Sequence, residues 1–340
     1  MKQMELISQL QKNAGEVLDR YIQPGQKVAV IDFPHHANAG DSYIWLGQIA
    51  YLQQRGASIE YICWHEAFDP ALIRRVIGND GLVLFHGGGN FGDRWPEPHK
   101  LRLKALRELK GCRMLQFPQT VRFDNPANIA ETQQAIREHG QFVLLTRDQV
   151  SDRQAREYFG DSCAIHLSPD MAFFIGAVTP QRPQSDGFVL ARTDIEAAGA
   201  GAVRHLPLER LPGRWLSDDW LASDWFEQKL SNQLCKFNTR WNRHAVGRKL
   251  MVGLANMTAQ ARLQRGIRLL SQGKVVLTDR LHAHILCLLL NKPHVVLDND
   301  YGKISTFHQA WTHPSEIAVF ARDFDDAVAK VGQQEAAAVA

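Results

Sequence analysis

KVAVIDFPHHANAGDSYIWLGQIAYLQQRGASIEYICW, residues 27–64, decides the architecture. Its ends, KVAVIDF (27–33) and SIEYICW (58–64), are short apolar runs rich in β-branched and aromatic residues, the composition of buried strands. Between them DSYIWLGQIAYLQQRG (41–56) has the length and residue types of a helix and closes at Gly56. A near-continuous apolar strand, a helix and a second such strand argue for a parallel sheet covered on both faces.

The pattern continues outward. PALIRRVIG (70–78), KLRLKALRELKG (100–111), NIAETQQAIREHG (128–140) and SDRQAREYFG (151–160) read as helices. GLVLFHG (81–87), CRMLQFP (112–118), FVLLTRD (142–148) and CAIHLSPD (163–170) read as the strands that alternate with them. After the proline-containing segment TPQRPQSDG (179–187) it restarts. GFVLARTD (187–194), KVVLTD (274–279) and HVVLDND (294–300) read as strands, and 257–273 and LHAHILCLLLNK (281–292) as helices. Residues 214–247 form a Trp-rich helical region, and EIAVFARDFDDAVAKV (316–331) reads as a final helix before an Ala-rich tail. The expectation is an α/β chain of two Rossmann-like lobes facing each other across a cleft. The N-terminal lobe spans 1–178, the C-terminal lobe 179–318, and a helix with its tail 319–340.

Composition narrows the function classes. A chain of 340 residues with 45% hydrophobic and 22% charged residues can build packed cores. A net charge of +3 is too mild for a nucleic-acid partner, which calls for a concentrated basic face. The five cysteines are scattered with no CxxC pair, which reads as reduced core thiols of a cytosolic protein. The longest clearly apolar run, ILCLLL (285–290), is too short to cross a bilayer, and the N-terminus has helical spacing without a signal-peptide core. A cytoplasmic location is expected.

In open parallel sheets ligands bind beyond the carboxyl ends of the strands. Polar clusters fall at those ends here: PHHANAGDS (34–42), HGGGNFGD (86–93), PQT (118–120), TRD (146–148), SPD (168–170), TDRLHAH (278–284) and DNDYGK (298–303). Turns attract Gly, Asn and Asp anyway, but seven such clusters in register point to a functional cleft. HGGGNFGD lacks both the GxGxxG and the GxxxxGK[ST] spacing. It is either a turn needing positive φ or a close approach of backbone to a ligand through Gly88 and Gly89, with Asn90 and Asp93 addressing hydroxyls. With an acid and no adjacent lysine, it suits a sugar better than a phosphate.

In TDRLHAH, Arg280 and the first amides of the following helix suit an anion. His282 and His284 lie on nearly opposite sides of that helix; His282 is the acid/base or ligand candidate and His284 the structural one. No Cys/His spacing for a metal accompanies them. Arg147 follows an apolar strand and reads as a second anion-binding group, with Asp148 as a helix cap. Lys303 is a third cationic candidate. Trp215, Trp220, Trp225 and Trp241 either pack on a lobe or offer an aromatic platform for an acceptor sugar or a membrane surface.

DFPHHANAGDSYIWLG, FHGGGNFGDRWP, LQFPQT, LTRDQVS, SPDMAF and LTDRLHAHILCLLLNKPHVVLDNDYGK, in this order and spacing, resemble the polysaccharide pyruvyl transferase family from about residue 27 to 312. The resemblance implies a fold similar to the two-lobed GT-B glycosyltransferases. It implies transfer of a pyruvyl group from phosphoenolpyruvate, as co-substrate with no cofactor, to a sugar as a cyclic ketal. The family's Arg-Leu-His donor segment matches Arg280, Leu281 and His282, and its Arg-Asp segment matches Arg147 with Asp148. On this reading the C-terminal lobe holds phosphoenolpyruvate and the N-terminal lobe the acceptor. Arg147, Arg280 and Lys303 clamp the donor, His282 is the general acid, and Asp41 or Asp93 orients or deprotonates the sugar hydroxyl. The family also implies a lipid-linked acceptor, which would bring the enzyme near the inner membrane. A nucleotide-sugar glycosyltransferase and a non-catalytic glycan-binding protein of an export complex remain alternatives.

Overall fold

The computed structural model describes residues 1–34, 38–192, 203, 207–221, 225–298 and 302–339. Helix α1 (Gln3–Leu18) precedes strand β1 (Lys27–Ile31), helix α2 (Ala39–Gln54) and strand β2 (Ser58–Cys63). Helix α3 (Pro70–Ile77) leads to strands β3 (Leu82–Phe85) and β4 (Gly88–Gly92), then helix α4 (Pro96–Glu108) and strand β5 (Arg113–Arg122). Helix α5 (Pro126–His139), strand β6 (Phe142–Thr146), helix α6 (Gln149–Phe159) and strand β7 (Ala164–Leu167) complete the first half.

All pairings in this first sheet are parallel, in the order β2-β1-β3-β5-β6-β7. The β1–α2–β2 reading of residues 27–64 therefore holds. HGGGNFGD departs from the expected loop. Its residues 88–92 form β4, which pairs with β5 further along the same edge that β3 occupies. Glycines make this possible: Gly88 and Gly92 have φ of 134° and 146°, conformations closed to side-chain-bearing residues. A Cβ on Gly92 would lie 1.5 Å from the Arg122 carbonyl oxygen, so β4 can lie against β5 only without one.

A short 3₁₀ turn (Met171–Ile175) ends the first half and packs on α2, where a Cβ on Gly47 would lie 1.8 Å from the Met171 carbonyl oxygen. Two backbones meet at that glycine. The second sheet contains β8 (Ser185–Leu190), β9 (Trp215–Asp218), β10 (Gly273–Thr278), β11 (His294–Val296) and β12 (Ala318–Phe320), all parallel, in the order β12-β11-β10-β8-β9. Its helices are α7 (Trp225–Trp241), α8 (Ala245–Leu270), α9 (Leu281–Leu289), α10 (Lys303–Phe307) and α11 (Phe324–Val339).

Three further elements differ from expectation. Trp215 starts an edge strand, not a helix, and its ring packs over Gly187, where a Cβ would clash with it. The helix expected from 257 begins twelve residues earlier, at Ala245. The final segment supplies a strand, β12, before its helix, because Ala318–Phe320 finds the open edge of β11. Helices α7 and α8 come late in the chain yet pack on the first sheet: Leu234, Met251, Ala255 and Ala259 share a core with Val28, Val30, Trp45 and Leu84. The five cysteines are free thiols; Cys63, Cys112 and Cys287 are buried, but Cys235 is exposed, unlike the expected core thiol.

His284 is structural. Its Nδ1 meets His294 Nε2 at 2.7 Å and its Nε2 meets Thr312 Oγ1 at 2.8 Å, while His308 Nδ1 reaches the same hydroxyl at 3.0 Å. Burial pushes His284 well below its ordinary value, with His294 and His308 adding to it, and takes His294 down to about 4. Burial lowers His308 as well. A base with a depressed folded-state pKa contributes stability above its unfolded pKa, here 6.5, and that stability is lost as pH falls, because the unfolded chain then binds the extra protons. The expected result is a steady fall in the urea midpoint from about pH 7 to about pH 5, before most carboxylates titrate. His308→Gln should flatten part of it, and a midpoint unchanged over that range would show that the three histidines charge freely in the fold.

Candidate functional site

Each sheet has one place where the chain reverses direction. In the first sheet β1 is followed by β2 on one side, while the later strands lie on the other beyond β3. In the second sheet β8 is flanked by β9 on one side and β10 on the other. Such switch points open a crevice beyond the carboxyl ends of the strands. Beyond β1 lie Asn38, Gly40 and Asp41; beyond β3, Gly88 and Gly89; beyond β10, Asp279, Arg280 and His282.

Asn38 caps α2, its side-chain oxygen accepting from the Gly40 amide at 3.2 Å while its Nδ2 donates to Asp41 Oδ2 at 3.0 Å. That places Asp41 in the first turn with Oδ1 3.3 Å from where a Gly88 Cβ would stand. Opposite, Arg280 occupies the N-cap position of α9, so Leu281 and His282 are its first two residues. The His282 ring lies against Gly40: a Cβ there would be 2.4 Å from Nδ1. The two helix N-termini thus meet through a glycine and a histidine, from two different sheets.

The centre of the arrangement is Asp170, whose segment SPD the sequence marks as polar without assigning the residue a role. It is buried, accepts from Arg147 Nη1 at 2.8 Å, and stands 3.5 Å from His282 Nε2. Its other oxygen caps the 3₁₀ turn through the Ala172 amide at 2.9 Å. Burial alone would raise this carboxyl, but His282, Arg147 and the Ala172 amide outweigh it and hold Asp170 well below the usual carboxylate range. Arg147 is fixed on three further counts: Nε donates to Thr120 Oγ1 at 3.0 Å, its carbonyl accepts from Trp311 Nε1 at 2.7 Å, and Asp148 caps α6 as expected, accepting from the Ser151 amide at 2.8 Å.

Arg147 Nη2 and Lys303 Nζ converge on Gly89. A Cβ there would lie 3.3 Å from the first and 2.7 Å from the second. The sequence separates a sugar-facing glycine loop from distant cations. The fold joins them, because α10 brings Lys303 across to the first sheet. Beside this point opens a shallow cleft lined by Gly89, Asn90, Thr120, Arg94, Trp95 and Lys303.

The other expected residues lie differently. Arg280 is buried, its Nη2 held by both Asp219 oxygens at 2.6 and 2.8 Å and its guanidinium 5.5 Å from the Trp220 ring centre. Leu281 sends its side chain into the core. Asn90 is committed below the glycines: Nδ2 donates to Asp32, and Oδ1 accepts from Arg102 and Gln119 at 3.1 and 2.9 Å. It positions β4 instead of offering a full amide to a ligand. Asp93 is committed to the loop before α5, accepting from the amides of Asp124 and Asn125 and from Asn128 Nδ2. Those donors, against a raising effect of burial, lower its pKa, as expected for a carboxylate that fastens a loop. His35, His36 and residues 299–301 of the predicted clusters lie outside the described residues.

Comparison with known proteins matches residues 38–301 to the family model described as polysaccharide pyruvyl transferase. The chain belongs to that family. It is 31% identical to Pyruvyl transferase 1 of Schizosaccharomyces pombe, over 85% of this chain and 70% of that protein. It is likewise 31% identical to EpsO of Bacillus subtilis, whose name gives pyruvyl transfer as a provisional activity, over 90% of this chain and 91% of the relative. A solved structure from Klebsiella pneumoniae, of an uncharacterized protein, superposes with a TM-score of 0.54 at 17% identity, covering 92% of this chain and 98% of the other. The fold is two-lobed, α/β and GT-B-like, and the chain is a transferase of the pyruvyl class acting in polysaccharide synthesis. Among the described residues no helix is long and apolar enough to cross a membrane.

Proposed function

We propose that the chain transfers the pyruvyl group of phosphoenolpyruvate onto two hydroxyls of one sugar in an exopolysaccharide repeat unit, closing a cyclic ketal. The supporting observation is the meeting of Arg147 and Lys303, from the two sheets, beside Gly89, with Arg147 joined through Asp170 to His282. Phosphoenolpyruvate carries a carboxylate and a phosphate, and two cations at a side-chain-free backbone suit a small dianionic head. Arg280 is paired with Asp219 at the start of α9, so its charge is balanced there, and the helix's first amides are what that end offers an anion.

Ketal formation begins with a proton delivered to the methylene carbon, which becomes the methyl group. His282 is the donor, with Asp170 as counter-ion to its charged form. A sugar hydroxyl then bonds to the adjacent carbon, giving its proton to Asp41, which stands across Gly88. The carbon–oxygen bond to phosphate breaks, the leaving phosphate taking the proton held by Asp41, and a second hydroxyl closes the ring and returns its proton to His282. One donor and one diol become one ketal and inorganic phosphate, with no redox change and no metal or cofactor in any step. The acceptor is a lipid-linked oligosaccharide met at the cytoplasmic face of the membrane.

The test is phosphate release from phosphoenolpyruvate in the presence of acceptor, with the ketal detected by mass spectrometry. His282→Ala is expected to lower kcat about 10²- to 10⁴-fold with donor binding retained. Full turnover in that variant would remove His282 as the acid. Calorimetry that found tight binding of a nucleotide sugar and none of phosphoenolpyruvate would assign the cleft to glycosyl transfer instead.

A further inference from the structure

The whole chain carries a net charge of only +3, but the charge is unevenly distributed. Residues 225–270, the hairpin of α7 and α8, contain nine lysines and arginines and a single acid, Glu227. That acid is buried 3.0 Å from Arg265, so it offsets none of the outward-facing charge. The remainder of the chain is consequently net negative.

The hairpin also holds most of the exposed large apolar side chains among the described residues. Trp225 and Phe226 are 72% and 49% exposed at the start of α7; Val246, Leu250 and Met257 are 72%, 52% and 55% exposed on α8. Positions 246, 250 and 257, with Gly253 between them, recur at helical spacing and form one stripe. The opposite stripe of α8, with Met251, Ala255 and Ala259, is spent on the core of the first sheet. On α7 the buried positions Leu230, Leu234 and Asn238 leave Trp225, Lys229, Lys236 and Arg240 outward. Arg243 at the hairpin's bend and Lys249 beside Leu250 are exposed as well.

We infer that the outer face of the α7–α8 hairpin docks on an anionic lipid surface. Apolar and aromatic side chains interleaved with lysine and arginine, and no exposed acid among them, are what an interfacial helix presents to acidic headgroups and the acyl boundary. A second copy of the chain fits worse: a two-fold contact would set the same basic face against itself. A nucleic acid would use the basic residues but has no use for a Val-Leu-Met stripe. The inference does not depend on which sugar is pyruvylated, and it is read without measuring turnover.

The experiment is co-sedimentation of the full chain with vesicles of phosphatidylcholine alone and with about 30% phosphatidylglycerol, a composition that imitates an anionic leaflet. Binding is expected only to the anionic vesicles and to weaken with added salt. K236E/R240E/K249E should lower partition by about a hundredfold, at about fivefold per basic residue removed. L250S/M257S should weaken binding independently of salt, with the fold checked by circular dichroism. Equal binding to both vesicle types, no binding at low salt, or binding untouched by either variant would overturn the inference. So would a dimer, seen by light scattering, that L250S/M257S abolishes, or retention of binding only in the presence of RNA.

Discussion

Asp170→Asn is expected to cost both activity and stability, by comparable amounts. The substitution keeps the shape of the side chain and removes its charge. Arg147, itself only 1% exposed, then keeps a buried guanidinium whose carboxylate partner is gone, and breaking a buried pair from one side costs about 3–5 kcal/mol when nothing relaxes. Because Thr120 and the oxygen of the introduced amide still accept from it, the cost should lie near the lower end of that range. On the chemical side, the protonated form of His282 loses its counter-ion, so kcat/KM should fall about 10²- to 10³-fold. The pH profile carries the distinction: if Asp170 supports the acid, its loss displaces the acid–base limb of kcat/KM. A variant that is destabilised but keeps wild-type kcat, donor affinity and pH profile would leave Asp170 as a structural anchor of the 3₁₀ turn and nothing more.

The prominence of Asp170 shows where sequence reading stops. Strands buried on both faces announce themselves, since KVAVI and VVLT leave no polar face to mistake, and both sheets follow from them. The carboxyl ends of those strands then locate the cleft, and Arg147, Lys303, His282, Asp41 and the glycines all lie at such ends. What stays hidden is which polar groups satisfy one another. Asn90 and Asp93 read like hydroxyl-binding residues because their chemistry is right, but a buried arginine, Arg102, claims one, and the start of α5 claims the other. Ser168-Pro169-Asp170 reads as one polar strand end among seven, with no role given to its aspartate, and only the arrival of α9 from the second sheet turns that aspartate into a partner for His282. The strand β4 is illegible for a related reason: a glycine run has no side-chain alternation, so its pairing with β5 is written in backbone alone. Likewise Ala318–Phe320 is too short to declare itself a strand without the open edge it joins.

The same glycine run yields the sharpest expectation, because its members are glycine for different reasons. Gly88 and Gly92 need positive φ, and Gly92 also touches the Arg122 carbonyl; alanine at either strains the backbone whatever binds nearby. Gly87 is packed, with a Cβ meeting the Pro118 carbonyl at 3.0 Å and Gln48 at 3.1 Å. Gly89 has no such demand: its φ is not in the left-handed region, and the atoms a Cβ would meet are the tips of Lys303 and Arg147. The Lys303 ammonium ends a flexible chain and can swing aside, so Gly89→Ala should fold with a stability change within about 1 kcal/mol. It should nevertheless bind the donor at least about tenfold more weakly, which is about 1.4 kcal/mol, since the methyl takes the space where the two cations meet an anion. Gly92→Ala is the control, expected to lower the unfolding midpoint sharply before donor binding can be measured. Calorimetric titration of phosphoenolpyruvate into Gly89→Ala decides the matter: affinity equal to that of the unaltered protein would mean that the anion binds elsewhere and that Gly89 is a residue of the turn only.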